Sequence, residues 1–372
     1  MYAFLDGNEA VVLGALQAGC RFFAGYPITP ATSILLGMLR ALPPVGGVAL
    51  QAEDEIASIG LCIGASMGGL KAMTATSGPG ISLYSENIGL AIMGEVPLVI
   101  VDVQRQGPAT GSATQGAEGD IAFLRWGTSG GLPVVVLSPS TVAECYRLTV
   151  EAFNVAERLR SPVFLASSKE LALTRERVSV ASLAPLPVEE RVPAAPGAPY
   201  LPYAVRGQEE VPAFAPIGGD QLVRFTASTH VEAGNITGDP ARIGRLVTHL
   251  AAKITAGAPS LTRADLREGA QVLVVAYGVV ARAAREAVQL AHARGRRVSL
   301  LTLQTLFPVP EAAIQQAAVG VRRAVVPELN LGQYRLEVER LLPGCAVVGV
   351  NKMNTELLSP QEILEQGGLW AS

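Results

Sequence analysis

The chain is 372 residues long, with 29 Lys and Arg against 32 Asp and Glu and a net charge of −3, so it lacks the basic excess of a general nucleic-acid binder. Hydrophobic residues make up 49% and charged residues only 16%, below a usual charged share of about 25%; either another chain covers part of the surface or the sequence is simply rich in Ala and Gly. At roughly 150 residues per domain, two or three domains are expected.

The N-terminal MYAFLDGNEA has no basic segment followed by an apolar run, so no signal peptide is evident. From Gly7 to about Leu173, short β-branched runs alternate with helical patterns. GYPITPATS (Gly25–Ser33) brackets Thr29 between two prolines, which constrains the backbone on both sides. That bracket either aims the Thr29 hydroxyl into a cleft or is a plain strand-to-helix turn with Pro30 at the first helical position. In LQAEDEIASIGLCIGASMGG (Leu50–Gly69), a strand end delivers Glu53, Asp54 and Glu55, and a helix with Gly60, Gly64 and Gly68 follows. The helix dipole alone favours acids there. However, Ile56–Met67 carries no charge and is expected to be buried, which would set a carboxylate at its mouth in a low dielectric. The longest uncharged apolar stretch, Ile56–Leu70, has 15 residues, too few to span a bilayer.

TATSGPG (Thr74–Gly80) supplies small hydroxyls and flexible backbone at a strand's carboxyl end, where open α/β sheets place ligands. Val96–Val103 and Leu132–Ser138 read as strands buried on both faces, the pattern of a parallel sheet. Just past the first of these, in VQRQGPATG (Val103–Gly111), Arg105 is placed to grip a carboxylate, with Thr110 as a further donor; a solvated loop arginine is the plain alternative. Ser140–Arg158 has helical spacing with Ser140 as a candidate N-cap. Eight of the 25 prolines then fall between Pro185 and Pro216, so residues 183–220 read as an extended, semi-rigid linker rather than a packed element. An irregular stretch holding His230 precedes a helix over Pro240–Ile254. Last come strands at Gln271–Gly278, Val298–Leu306, Arg322–Leu329 and Ala346–Asn351, with helices over Ala281–Gly295, Pro310–Val321 and Tyr334–Leu342 between them. The expectation is an α/β chain of two doubly wound parallel-sheet domains, divided as 1–182, a connecting segment 183–260, and 261–372.

Several absences narrow the chemistry. There is no GxxxxGK[ST] and no GxGxxG after a strand. His230, His249 and His292 are scattered, and the last two read as helix-surface residues. Cys20, Cys62, Cys145 and Cys345 are far apart with no CxxC pair, which fits neither a disulfide scaffold nor a zinc or iron–sulfur site within this chain. A reduced, cytoplasmic setting is expected.

GYPITP, QAEDEIASIG, KAMTATSGPG and VQRQGPATG, in that order and with the C-terminal AYGVVARAAREAV, LQTLFPVPEAAI, VPELNLGQY and VGVN, resemble the alpha subunits of the 2-oxoacid:ferredoxin oxidoreductases. The resemblance covers nearly the whole chain and is strongest to the 2-oxoglutarate synthase type without a fused gamma domain. It implies a thiamine-diphosphate pyrimidine-binding-like domain followed by a transketolase C-terminal-like domain. It also implies coenzyme-A-dependent oxidative decarboxylation of a 2-oxoacid, and the reverse carboxylation, with electrons passed to ferredoxin. By the family's nine-residue spacing from glutamate to glycine, Gly64 points to Glu55 as the catalytic carboxylate at the aminopyrimidine, with Glu53 the second choice. Thr29, Arg105 and Thr110 carry over as substrate-binding residues, Arg105 on the oxoacid carboxylate, and Ser77 and Gly78 as part of the cofactor pocket. No GDG motif for diphosphate and Mg2+ is present, so the metal, the [4Fe–4S] clusters and half of the cofactor site are expected on a beta subunit and other partners, including ferredoxin and gamma or delta subunits. No metal ligands are assigned to this chain.

One departure concerns the substrate. The stretch GSATQGAEGDIAFLRWGTSGG lacks the histidine of the 2-oxoglutarate-type pattern, which leaves pyruvate or a branched-chain 2-oxoacid open. A non-oxidative thiamine enzyme and an inactive scaffold are the rival readings. Glu328, Asn330 and Gln333, at a strand end in the C-terminal unit, either touch a partner or serve as ordinary caps.

Overall fold

The computed structural model describes residues 1–197 and 199–370; Ala198, within the Pro-rich stretch, and the last two residues of the C-terminal unit lie outside them. The strands, in chain order, are β1 (Tyr2–Leu5), β2 (Phe22–Gly25), β3 (Val48–Gln51), β4 (Ala72–Thr76), β5 (Leu98–Gln104), β6 (Val135–Leu137), β7 (Pro162–Ser168) and β8 (Glu176–Ser179), followed by β9 (Thr262–Asp265), β10 (Val272–Tyr277), β11 (Val298–Leu303), β12 (Thr305–Phe307), β13 (Arg323–Glu328) and β14 (Ala346–Asn351). One sheet has seven strands in the order β12-β6-β7-β5-β4-β2-β3, a second has five in the order β14-β13-β10-β11-β9, and β1 pairs with β8.

Central strands are covered on both sides, which is why they read as unbroken apolar runs. In β5, Val99, Val101 and Val103 face one core and Leu98 and Ile100 the other. Each core also takes residues from the five-stranded sheet, Val274 and Val325 in one and Leu273 and Val326 in the other, so the two sheets are bound by continuous packing.

Several expectations need correction. The apolar run Val298–Leu306 is not one strand: it breaks at Gln304, and β12 leaves the C-terminal sheet to pair antiparallel with β6. The C-terminal sheet has a fifth strand, β9, antiparallel to β11. The helix expected from Ser140 spans Val142–Leu159 and is capped by Thr141, whose hydroxyl accepts from Glu144 N–H at 3.2 Å.

The Pro-rich stretch is extended, as its composition suggests, but it is packed. The buried Arg191 makes a two-pronged bond to buried Glu157 at 2.6 and 2.7 Å and donates to the Ser66 and Leu70 carbonyls. Arg160, also buried, donates to the carbonyls of Pro202, Pro212 and Ala213. Arg160 thus gathers carbonyls of this segment, while Arg191 ties the segment outward to Glu157 and the carbonyls after the helix Glu55–Met67, so that it forms a strap across the amino-terminal edge of the large sheet. His249 is likewise no surface residue: it is buried, with Nδ1 2.9 Å from the Gln208 carbonyl and Nε2 3.3 Å from Glu95 Oε2. His292 is partly buried on the Val298 carbonyl.

Candidate active site

Four adjacent strands, β5, β4, β2 and β3, end at one edge of the seven-stranded sheet, and the segments leaving them carry the residues singled out from sequence. Beyond β3 the three acids take separate roles. Asp54 caps the helix Glu55–Met67, accepting from Ala57 N–H at 2.7 Å, Glu53 is exposed, and Glu55 is buried with 8% of its surface exposed. The helix itself is buried on one face only. Ile59, Cys62, Ile63 and Met67 enter the core, while Ile56 is 51% and Leu61 42% exposed and the space above Gly60 and Gly64 is open. The absence of charge along Ile56–Met67 thus reflects an uncovered apolar face, not full burial within this chain.

Glu55 lies against the turn after β4. A Cβ on Gly80 would overlap Thr76 Oγ1 and stand 2.9 Å from Glu55 Cγ, so only glycine lets the backbone pass between them. Thr76 Oγ1 and Ser77 Oγ are both buried without a hydrogen-bond partner. Gly78, next in the chain, faces the Asp120 carboxylate, whose oxygens would lie 3.4 Å from an added Cβ. Buried hydroxyls are normally paired; two orphans beside a buried carboxylate make a lining that fits a polar heteroaromatic ring such as the aminopyrimidine of thiamine diphosphate.

Arg105 follows β5 and is only 5% exposed. Its Nη1 donates to the Thr29 carbonyl at 2.6 Å and Nη2 to the Thr110 carbonyl at 3.1 Å, while Nε is buried without a partner. The three residues proposed to bind substrate are thus assembled around one guanidinium, Thr29 and Thr110 through their backbones with their side chains exposed. The turn holding Thr29 is braced by Asn8, which donates to the Pro30 carbonyl at 2.9 Å and to Ser33 Oγ at 2.7 Å.

Below Arg105, the buried Asp102 on β5 lies against the Asp120 carboxyl, and the two can bond only through a proton held between them. Burial, reinforced by the neighbouring Asp120, pushes its carboxyl well above the usual range. Asp120 is raised to about 6, burial outweighing its bond to Asp102 and the attraction of Arg105. Sequence reading missed this pair, although an Asp inside the apolar run LVIVDVQ is itself a signal that a buried charge needs explaining.

The loop from Arg105 to Asp120 is moored on the C-terminal unit. Glu118 N–H donates to the Leu329 carbonyl at 2.9 Å, and Asn330 Nδ2 donates to the Glu118 carbonyl at 2.8 Å. Gln333 Nε2 donates to the Gly119 carbonyl at 2.7 Å. Glu328 accepts from Tyr277 OH and from the Tyr334 and Arg335 N–H groups. These C-terminal residues are therefore partly caps, as expected, and partly anchors for the arginine loop. The Glu118 side chain, also missed, accepts from Val279 N–H at 3.0 Å. Burial first, then the charges of Glu170 and Glu328, raise it to about 8.

Among the described residues, no three His, Cys, Asp or Glu side chains are grouped to hold a metal ion, and no helix is long and apolar enough to cross a membrane. All four cysteines are free, three of them buried.

Comparison with known proteins gives the site its context. Residues 13–243 match the family "Pyruvate flavodoxin/ferredoxin oxidoreductase, thiamine diP-bdg" and residues 270–363 match "Pyruvate:ferredoxin oxidoreductase core domain II". The 2-oxoglutarate synthase subunit KorA of Methanothermobacter marburgensis is 41% identical over 98% of this chain and 97% of its own length. The ketoisovalerate oxidoreductase subunit VorB of Methanothermobacter thermautotrophicus is 35% identical over 97% and 96%. A solved 2-oxoglutarate:ferredoxin oxidoreductase from Magnetococcus marinus, with 2-oxoglutarate, coenzyme A and succinyl-CoA bound, is 31% identical with a TM-score of 0.90; the match covers 98% of this chain and 64% of that one. The chain belongs to the 2-oxoacid:ferredoxin oxidoreductase family, as an alpha subunit.

Proposed function

We propose that this chain is the alpha subunit of a 2-oxoglutarate-type synthase, which with a beta subunit converts 2-oxoglutarate and coenzyme A to succinyl-CoA and CO2, passes electrons to ferredoxin, and runs the reverse carboxylation. The observation that carries the reading is the buried Arg105, held by the Thr29 and Thr110 carbonyls at the same sheet edge as Glu55 and the orphaned hydroxyls of Thr76 and Ser77. The 41% identity to a 2-oxoglutarate synthase subunit over nearly its whole length supports the substrate.

In this reading Glu55, Ser77 and the backbone at Gly78 hold the aminopyrimidine of thiamine diphosphate, which when bound supplies a nucleophilic carbon and an electron sink for cleaving the bond to the carboxyl carbon. Glu55 would hold and exchange a proton with the aminopyrimidine, which is acid–base work done through the cofactor. Arg105 binds the carboxylate that is to leave, and its two carbonyl bonds fix the guanidinium plane so that little freedom is lost on binding. Thr29 and Thr110 orient it and offer exposed hydroxyls toward the substrate. Mg2+ and [4Fe–4S] clusters belong to partner subunits, and the uncharged outer face of Glu55–Met67 is the surface assigned to the beta subunit. Residues 1–182 and 261–372 form the two functional units, with 183–260 strapping the first, and the complex works in the cytoplasm.

A second reading is favoured by the loop after Thr110 and by the 35% identity to a ketoisovalerate oxidoreductase subunit: the same reaction on a branched-chain 2-oxoacid. Anaerobic viologen reduction by the purified complex, with 2-oxoglutarate, pyruvate or 2-oxoisovalerate and with or without coenzyme A, decides between them. Coenzyme-A-dependent reduction with 2-oxoglutarate is the expected result. Reduction only with 2-oxoisovalerate moves the substrate to the second reading, and none with any oxoacid, from a complex holding its clusters and thiamine diphosphate, overturns both in favour of a scaffold.

A further inference from the structure

Asp102 and Asp120 lie between the two halves of the candidate site, and Asp120 does not do the work its place in the fold would suggest. It occupies the N-cap of the helix Ile121–Trp126, where an Asp side chain ordinarily accepts from a helix N–H, yet it makes no such bond. Its backbone is held instead, Gln104 Oε1 accepting from Asp120 N–H at 3.1 Å. Asp102 and Gln104 are two residues apart on β5 and so share a face of the strand, with Asp102 against the Asp120 carboxyl. That carboxyl also meets Gly78 of the cofactor pocket, where an added Cβ would stand 3.4 Å from each oxygen, and the charge of Arg105.

Two carboxyls in contact inside a protein cannot both ionise, because each charge opposes the other and burial opposes both. Asp102 is fully buried whereas Asp120 is partly exposed, so the shared proton rests on Asp102 and the negative charge on Asp120. The surroundings supply a single opposing charge. Thr76 of β4 and Ala166 of β7 stand beside Asp102 in the sheet, and the C-terminal unit brings Gln333, which accepts from Ala122 N–H. Glu118, on the same loop, turns away to Val279 N–H. Among the described residues, Arg105 is thus the one cation that acts on the pair.

We propose that Asp102 and Asp120 form a one-proton pair that serves as the counter-charge of Arg105, and that it sets how tightly the chain holds the oxoacid carboxylate. Asp120 is then a positioning residue that acts through Arg105. The inference rests on the assignment of Arg105 to that carboxylate.

The direction of the effect follows from the charges. While Asp120 is ionised, Arg105 meets the oxoacid with its charge partly offset. Once Asp120 takes up a second proton the pair is neutral, and the full guanidinium charge faces the substrate. Asp120 takes up that proton near pH 6, and a bound oxoacid, as a further anion beside it, moves the uptake to higher pH. Binding is therefore tightest below that pH, weakens above it, and levels off where the bound form has lost the proton too. A displacement of one pH unit corresponds to about a 10-fold change in KM.

The test is the KM for the oxoacid that the complex oxidises, read from viologen reduction between pH 5 and 8 for the wild type, D120N and D102N. Wild-type KM should rise about 10-fold across this range. D120N leaves a neutral pair, so its KM should stay at the wild-type low-pH value and lie about 10-fold below wild type at pH 8. D102N gives Asp120 an amide donor in place of the shared proton and keeps it ionised. Its KM should stay at the wild-type high-pH value and lie about 10-fold above wild type at pH 5. Damage to the loop would raise KM in both variants, and kcat should keep one pH profile in all three proteins. If D102N fails to assemble, D120N decides alone. A wild-type KM that is constant with pH, or a D120N KM that still follows the wild-type rise, overturns the pair and leaves the function standing. No turnover with any oxoacid overturns the function, and this role with it.

Discussion

The two edges of the seven-stranded sheet treat buried polar atoms in opposite ways. At the amino-terminal edge the buried cations and most of their acceptors are paired, with Glu95 Oε1 and His230 Nε2 the exceptions. Arg191 makes four hydrogen bonds, Arg160 donates to four carbonyls, and Lys253 Nζ is shared between Glu95 Oε2 at 2.6 Å and the Arg160 carbonyl at 3.1 Å. At the carboxyl edge Thr76 Oγ1, Ser77 Oγ and Arg105 Nε have no partner, and the buried Asp102 and Asp120 carboxyls can bond only through a shared proton. Each buried atom left unpaired costs about 1–3 kcal/mol, so the carboxyl edge sacrifices stability that the other edge keeps. Paired buried groups hold the fold; unpaired ones in a cluster mark where a ligand completes the structure.

The largest expected effect breaks that comparison at the carboxyl edge. Glu55→Gln keeps the shape of the side chain but removes its acid–base capacity, so oxoacid-dependent viologen reduction by the complex should fall about 10²–10⁴-fold with the melting temperature unchanged. Retained turnover would remove Glu55 from the site.

Next comes the amino-terminal edge, where Arg191→Met leaves the buried Glu157 carboxylate unpaired. Loss of one partner of a buried pair costs about 3–5 kcal/mol, measurable by denaturant unfolding, while the KM for the oxoacid in the folded fraction stays at its wild-type value. A shift in KM without a loss of stability would mean that the strap serves the site rather than the fold. The exposed pair Arg340–Glu311, by contrast, should cost under about 1 kcal/mol when broken. Gly80→Ala lies between the two cases. The added methyl overlaps Thr76 Oγ1 and presses on Glu55, so it should cost about 1–3 kcal/mol and lower turnover as well.

What the sequence displayed and what it hid divide along the same line. The apolar runs of β5 and β6, the helix Pro240–Gly257 and the order of the loops at the carboxyl edge are local signals, set by spacing within a few residues. Thr29, Arg105 and Thr110 were legible for that reason, although their joint use of backbone carbonyls was not. Hidden features depend on partners far along the chain. Glu118 meets Val279, Asn330 meets Glu118, and His249 meets Glu95 across 161, 212 and 154 residues. The strap looked like a linker because prolines signal extended backbone but say nothing of what packs on it. Gln304 breaks an apolar run between two sheets, and only the antiparallel pairing of Thr305 with Leu137 shows it.

The last expected effect is the one at which the two kinds of buried group meet. Glu118 is half satisfied: Oε1 accepts from Val279 N–H, while Oε2 has no partner. Its folded-state pKa, about 8, lies above the ordinary carboxyl value of 4.5, so the folded chain holds a proton that the unfolded chain releases. The stability this contributes is fully present below the ordinary value and is lost as pH rises through about 8. Glu118→Gln keeps the acceptor for Val279 and cannot ionise. Relative to that variant the wild-type chain should lose stability by about 1 kcal/mol per pH unit between pH 5 and 8 and no more above pH 8, read from denaturation at pH 6, 7, 8 and 9. Parallel stability curves for the two proteins would show that Glu118 is ionised throughout. In that case the loop carrying Arg105 is moored by a buried charge.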